Sequence, residues 1–131
     1  MAMKKGSQSV EVVLGRHVVC SAGDGKANVE EIKWLTETVL NSTKAWKTSG
    51  WGYIPDCTKM DPVTPDVGNE LVEMTKKFVE NGCKAIAFVD GASVMLKVQA
   101  QSNTKRSNTG LEENHFATKE EALAWLKERS L

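Results

Sequence analysis

Trp51-Gly52-Tyr53-Ile54-Pro55-Asp56, then Thr64-Pro65-Asp66-Val67, then Asn81-Gly82-Cys83-Lys84-Ala85-Ile86-Ala87-Phe88-Val89-Asp90, is the stretch on which the fold turns. It reads as strand, polar loop, helix, strand. Thr64 stands at an N-cap position and Pro65 at the first helical position, where the missing N–H is no loss. Asp66 complements the positive end of the helix dipole, and Lys76 and Lys77 the negative end. Val67, Leu71, Met74, Phe78 and Val79 form an apolar stripe at helical spacing, and Asn81-Gly82 ends the helix. Ala85 to Val89 is a short continuous apolar run, the pattern of a strand covered on both faces, so the two strands are expected to pair in parallel through a right-handed crossover.

Working outward, Val10, Val12 and Leu14 alternate with other residues and His17 to Cys20 continues in β-favouring residues, which predicts an antiparallel pair across Gly15-Arg16. Ser21 to Gly25 is turn-rich and is expected to end the second of these strands. Asn28 and Glu31 form a capping box that opens a helix over Val29 to Thr43, and Lys47 to Gly50 reads as a loop. Beyond Asp90, residues Ala92 to Gln101 are compatible with a helix. The polar run from Ser102 to Gly110 has no periodicity and is expected to be a mobile loop. A short edge strand through Asn114-His115-Phe116 precedes a helix capped at Thr118. The expectation is one α/β domain over residues 9–131, behind an N-terminal tail of residues 1–8, with a central mixed sheet of four or five strands and about four flanking helices.

Composition narrows the function classes. The 131 residues are 40% hydrophobic and 26% charged, and no apolar run approaches the ~20 residues of a membrane helix. Lys plus Arg and Asp plus Glu number 17 each, so nothing favours a phosphate backbone as partner and no nucleic acid is expected. The N-terminal residues lack the apolar core of a signal peptide. Cys20, Cys57 and Cys83 are widely spaced, which fits neither a disulfide framework nor a zinc site and points to a reduced cytoplasm. Two histidines and three scattered cysteines predict no metal centre, and no cofactor motif is complete.

The polar residues at the strand ends are the candidate site: Asp56, Thr58, Asp61, Thr64 and Asp66 after one strand, Asp90 and Ser93 after the next, where open parallel sheets commonly bind ligands. Gly23-Asp24-Gly25-Lys26 precedes a helix, but Cys20 occupies the position of the first P-loop glycine and Ala27 replaces the magnesium-binding hydroxyl. Gly91-Ala92-Ser93-Val94-Met95 has the outline of a nucleophile elbow with Met95 in place of the second glycine, and N-capping by Ser93 is the simpler role. The four aspartates could hold magnesium or, at Asp56, a phosphoryl group. The bland alternative has Asp56 and Asp90 ending strands, Asp61 shaping a turn and Asp66 facing the helix dipole. Trp34, Trp46, Trp51 and Trp125 read mainly as packing residues, with Trp46 and Trp51 the better interface candidates because they flank a loop.

The order Gly50 to Asp56, Thr64-Pro65, Asn81 to Val89 and Phe116-Ala117-Thr118-Lys119-Glu120-Glu121-Ala122-Leu123-Ala124-Trp125-Leu126 resembles the stage II sporulation protein AA-like group, allied to STAS (sulphate transporter and anti-sigma factor antagonist) domains. The resemblance runs from about Val10 to Leu126 and implies a bacterial, STAS-like α/β domain that acts by binding, not by turnover. In antagonist STAS domains a phosphorylatable serine begins the helix after the middle strand. Here Pro65 or Asp66 falls at that position, which leaves Thr58 and Thr64 as the neighbouring hydroxyls. The resemblance implies a non-enzymatic regulatory domain that binds a protein partner through the Thr58–Asp66 loop and the start of its helix, Val67 included. A homodimer stays open. The alternative is a carrier of a lipid or small apolar ligand, with Met74, Phe78, Met95 and tryptophans lining a pocket beneath a movable helix at 92–101. A hydrolase using Ser93 is the third reading. An enclosed apolar cavity would favour the carrier, and an exposed apolar patch at Val63 and Val67 the partner.

Overall fold

The structure, a computed structural model, describes residues 2–131. In chain order it comprises β1 (Ala2–Lys5), β2 (Gln8–Val12), β3 (Val18–Gly25), α1 (Val29–Thr43), β4 (Trp51–Met60), α2 (Pro65–Glu80), β5 (Cys83–Val89), α3 (Val94–Ser107), β6 (Glu112–Phe116) and α4 (Lys119–Lys127). The six strands form one sheet in the order β1-β2-β3-β4-β5-β6. The first three are antiparallel to one another, and β3 to β6 are parallel. The α/β class and the mixed sheet agree with the sequence reading, whereas the strand number is six, not four or five.

Strand alternation divides the core into two layers. Val10, Val19, Trp51, Tyr53 and Ile86 face α1 and α2, meeting Ile32, Leu35, Val39, Met74 and Phe78. Val18, Cys20, Ile54, Ala85, Ala87 and Val89 face the other way, onto Ala122 and Leu126 of α4. Trp51, taken from sequence as an interface candidate, is fully buried: its indole N–H donates to the Asn81 carbonyl and its ring meets Phe78 edge to face. Trp46 is half-buried and stacked on His17.

Four boundaries differ from expectation, each for a local reason. The residues assigned to a tail supply β1, which turns at Gly6 (φ +57) and pairs with β2. Glu31 holds that hairpin: its carboxylate accepts from the Ser7 backbone N–H (2.7 Å), the Ser7 hydroxyl (2.8 Å) and, completing the capping box, the Asn28 N–H (3.1 Å). Met1 lies outside the described residues. The run Ser21 to Gly25 does not end β3. It stays paired with β4 across a bulge, Asp24 opposite Lys59 and Gly25 opposite Met60, so β4 also runs on to Met60. Backbone pairing needs no apolar side chains there, and the connection to α2 shrinks to residues 61–64. Finally, α3 continues through the polar run that was read as a loop. Thr104 and Ser107 bond their hydroxyls back to the Ala100 and Thr104 carbonyls, and Asn108 ends the helix in the left-handed region (φ 53).

Candidate functional site

The expected residues fall into separate groups. Asp56 and Thr58 lie on β4 itself, and the Asp56 carboxylate accepts from both the Thr58 N–H (3.0 Å) and the Thr58 hydroxyl (2.7 Å). Asp61 is exposed and its N–H donates to Gly25 O at 3.0 Å. Thr64 occupies the N-cap position of α2, but its hydroxyl donates to the Asp66 carboxylate instead of accepting from the backbone. That bond, with a further one from the Val67 N–H, holds the exposed Asp66 carboxyl below its usual value. Val67 is 1% exposed and belongs to the core, while Val63 is half-buried, so the apolar surface patch proposed there is absent.

At the end of β5, Asp90 is buried beside a residue that sequence reasoning had not placed. His115, opposite Phe88 in the β5–β6 register and stacked on its ring, has Nδ1 against the Asp90 carboxylate and Nε2 against that of Glu113. Both ring nitrogens are thereby occupied. Ser93 caps α3 by accepting from the Leu96 N–H at 3.2 Å and has no bond to a histidine. A hollow of about 290 Å³ lies between Ser93, Lys97 and His115, but a nucleophile without a base in contact lacks the arrangement that hydrolysis needs. Among the described residues no group of acidic, histidine or cysteine side chains is arranged to hold a metal ion.

A smaller and more apolar space lies beneath α3. A cavity of about 70 Å³ sits between the sheet and the α2–α3 pair, walled by Ile32, Leu35, Tyr53, Met60, Met74, Ile86, Phe88 and Leu96, with Cys57 and Ala100. At the ~30 Å³ that a water occupies, this is room for roughly two or three groups of that size. Its polar side chains bond mainly to one another and to the backbone. Ser21 Oγ and Tyr53 OH bond each other at 2.5 Å, and Gln99 reaches from α3 to both backbone groups of Val63, accepting from its N–H (3.0 Å) and donating to its carbonyl (3.1 Å). Burial pushes the Tyr53 phenol far above its ordinary range and the Cys57 thiol up to about 12, the latter with help from nearby Asp90 and Asp56. Both groups are therefore neutral at neutral pH.

The lid is weakly anchored. Of the large apolar residues of α3 only Leu96 is buried, while Val94 (74%), Met95 (59%) and Val98 (56%) are exposed. Met95, expected to line a pocket, instead faces solvent. The sequence did carry a signal for this space: residues 94–98 have no one-sided apolar stripe, so the helix they form cannot seal a sheet as α2 does. Along the α2–α3 seam runs a groove of about 510 Å³ touched by Thr64, Pro65, Asn69, Val98, Asn103 and Arg106, with Arg106 donating to Asn69.

No protein-family model matches the chain, and no curated protein matches it. Among solved structures it is similar to an uncharacterised protein of the DUF3478 family with a SpoIIAA-like fold from Shewanella loihica PV-4. The two superpose with a TM-score of 0.65 at 18% identity, over 96% of this chain and 98% of that one. No helix among the described residues is long and apolar enough to cross a membrane. The likeness extends to the whole architecture and establishes one thing, that this protein has a SpoIIAA-like, STAS-like fold.

Proposed function

We propose that this protein is a non-enzymatic binding domain whose site is the apolar cavity beneath α3. The observation that carries the reading is the pairing of an apolar hollow with an under-anchored cover: sheet and α2 present Tyr53, Ile86, Phe88 and Met74, and α3 answers with Leu96, Ala100 and Thr104. Ligand sites are commonly apolar concavities with a few fixed polar groups, and ~300 Å³ is the lower end of their size range. The resting cavity is smaller, so its occupant is small unless α3 shifts outward. Methionines test the site directly. Met60 and Met74 line it, whereas Met3 and Met95 are exposed. In protein carrying ¹³C-methyl methionine, xenon is expected to shift the Met60 and Met74 signals saturably and leave Met3 and Met95 in place. Unmoved Met60 and Met74 signals would remove the site.

A second reading, docking of a protein partner on the Thr58–Asp66 segment and the start of α2, is favoured by the exposed Thr64, Pro65, Asp66 and Asn69 beside the α2–α3 groove. Asp66→Ala is expected to lose a partner that the unaltered protein retains. An identical set of retained proteins for both forms counts against this surface.

A further inference from the structure

The wall of the cavity beneath α3 also limits what can occupy it. It contains no lysine, arginine or histidine, and the one charged residue that touches it, Asp56, is an acid. An ionised carboxylate drawn into such a space would lose its hydration with no cation in return, a cost well above that of burying a neutral hydrogen-bonding group. The nearest guanidinium, Arg106, stands outside the wall in the α2–α3 groove and is engaged by Asn69.

Besides the amides of Gln8, Gln99 and Asn103, the wall offers a hydroxyl donor. Ser21 and Tyr53 together own two hydroxyl protons, and their mutual bond uses one of them. Whichever is the donor in that bond, the other keeps an O–H for which the protein supplies no acceptor. Both residues lie on the cavity wall, so this proton is placed for an oxygen of an occupant. Burial keeps the phenol protonated, and the pair therefore remains a donor across the neutral range.

We infer that the ligand class of this cavity is an uncharged molecule of about three carbons bearing one acceptor oxygen, such as a ketone, aldehyde or alcohol, and not a carboxylic acid. This rests on the cavity being the binding site, and the experiment separates the two statements. With ¹³C-methyl methionine protein at pH 7.5, acetone and acetate are titrated beside xenon while Met60 and Met74 are followed. The expected result is a Kd for acetone at least tenfold below that for acetate. The double variant Ser21→Ala with Tyr53→Phe removes both hydroxyls together and so leaves no lone buried one. It is expected to lower the affinity for acetone at least fivefold relative to that for xenon. An acetone preference below tenfold overturns the ligand class, as does a double variant with an undiminished acetone-to-xenon ratio, while the xenon response keeps the site. Absence of any response to xenon overturns both. If the double variant fails to fold, the acetone-to-acetate ratio in the unaltered protein decides alone.

Discussion

Filling the cavity from α3 should make the protein more stable and abolish binding at once. Ala100 lies on the cavity wall in the middle of α3, and Leu has a helix propensity close to that of Ala. At ~24 cal/mol per Å³, a void of about 70 Å³ costs the fold about 1.7 kcal/mol. The three added carbons of Ala100→Leu contribute ~0.8 kcal/mol each on burial, against ~0.5–1 kcal/mol of lost rotamer freedom, which gives a similar net gain of about 1–2 kcal/mol. With a urea m-value of ~2 kcal/mol/M, the midpoint should rise by about 0.5–1 M at unchanged slope. Tryptophan fluorescence, to which the fully buried Trp51 contributes, reports the transition, and methionine methyl signals report binding of xenon. A variant destabilised by more than ~1 kcal/mol would mean that α3 already rests on a packed surface and that the leucine wedges it away. A variant that is stabilised yet still shifts Met60 and Met74 with xenon would place the site elsewhere.

Three further outcomes follow from the same geometry. Burial pushes the Glu31 carboxyl up, but the bonds from Ser7 and Asn28 outweigh it and hold the carboxyl below 4.5 in the folded state. Its contribution is therefore complete above pH 4.5 and fades as pH falls through the lowered folded value, so Glu31→Gln should cost ~1–3 kcal/mol at pH 7 and progressively less in acid; equal urea midpoints at pH 7 would refute the tie. Gly6→Ala places a methyl group against the Glu31 carboxylate at a backbone of φ +57 and should cost at least ~1–2 kcal/mol, read as a lower melting temperature, with no loss expected if β1 is dispensable to the hairpin. Cys57, buried and with its thiol pushed up to about 12, should resist iodoacetamide at pH 8 in native protein and react at once in denaturant, and rapid native alkylation would show that α3 opens far more often than its bonds imply.

Legibility in the sequence tracked how strongly each segment repeats a single pattern. α1 and α2 were readable to the residue because capping chemistry and apolar spacing agree: Asn28 with Glu31, and Thr64-Pro65 with the Val67 to Phe78 stripe. β1 was missed because Ala2–Lys5 is exposed throughout and holds its place by backbone pairing and by Glu31, neither of which leaves an apolar trace. The second half of α3 was missed because Ser102 to Ser107 is polar, although its hydroxyls cap their own helix. Within the site, Asp90 was legible as a residue at a strand end, but its partners were not. Glu113 and His115 reach it only through the β5–β6 register, which no local spacing encodes. Of the residues expected to line a pocket beneath this helix, Met74 does so, whereas Phe78 and the tryptophans pack elsewhere; Met95 was misassigned because a helix without an apolar stripe gives no indication of which face turns inward.

The sheet topology explains why the strand-end residues did not assemble into a centre. In open parallel sheets the crevice at the carboxyl ends forms where successive crossovers pass to opposite faces. Here β3 to β6 lie in chain order, and α2 and α3 pack against each other on the face that α1 also covers, so the sheet has no such reversal. Asp56 therefore lies within β4 and Asp90 just past the end of β5, without a cleft between them, and Asp61, Thr64 and Asp66 drift outward around the start of α2. Space arises instead where the helical layer is thin. An amphipathic third helix would lay a stripe of large side chains on Tyr53, Ile86 and Phe88, whereas α3 lays down Leu96, Gln99, Ala100 and Thr104 and turns Val94, Met95 and Val98 outward. Leaving a void unfilled costs a small domain a measurable part of its stability, and here the filling residue, a leucine at position 100, is a small step from the alanine present. The binding site proposed above therefore turns on Ala100, where one side chain separates an open space from a packed layer.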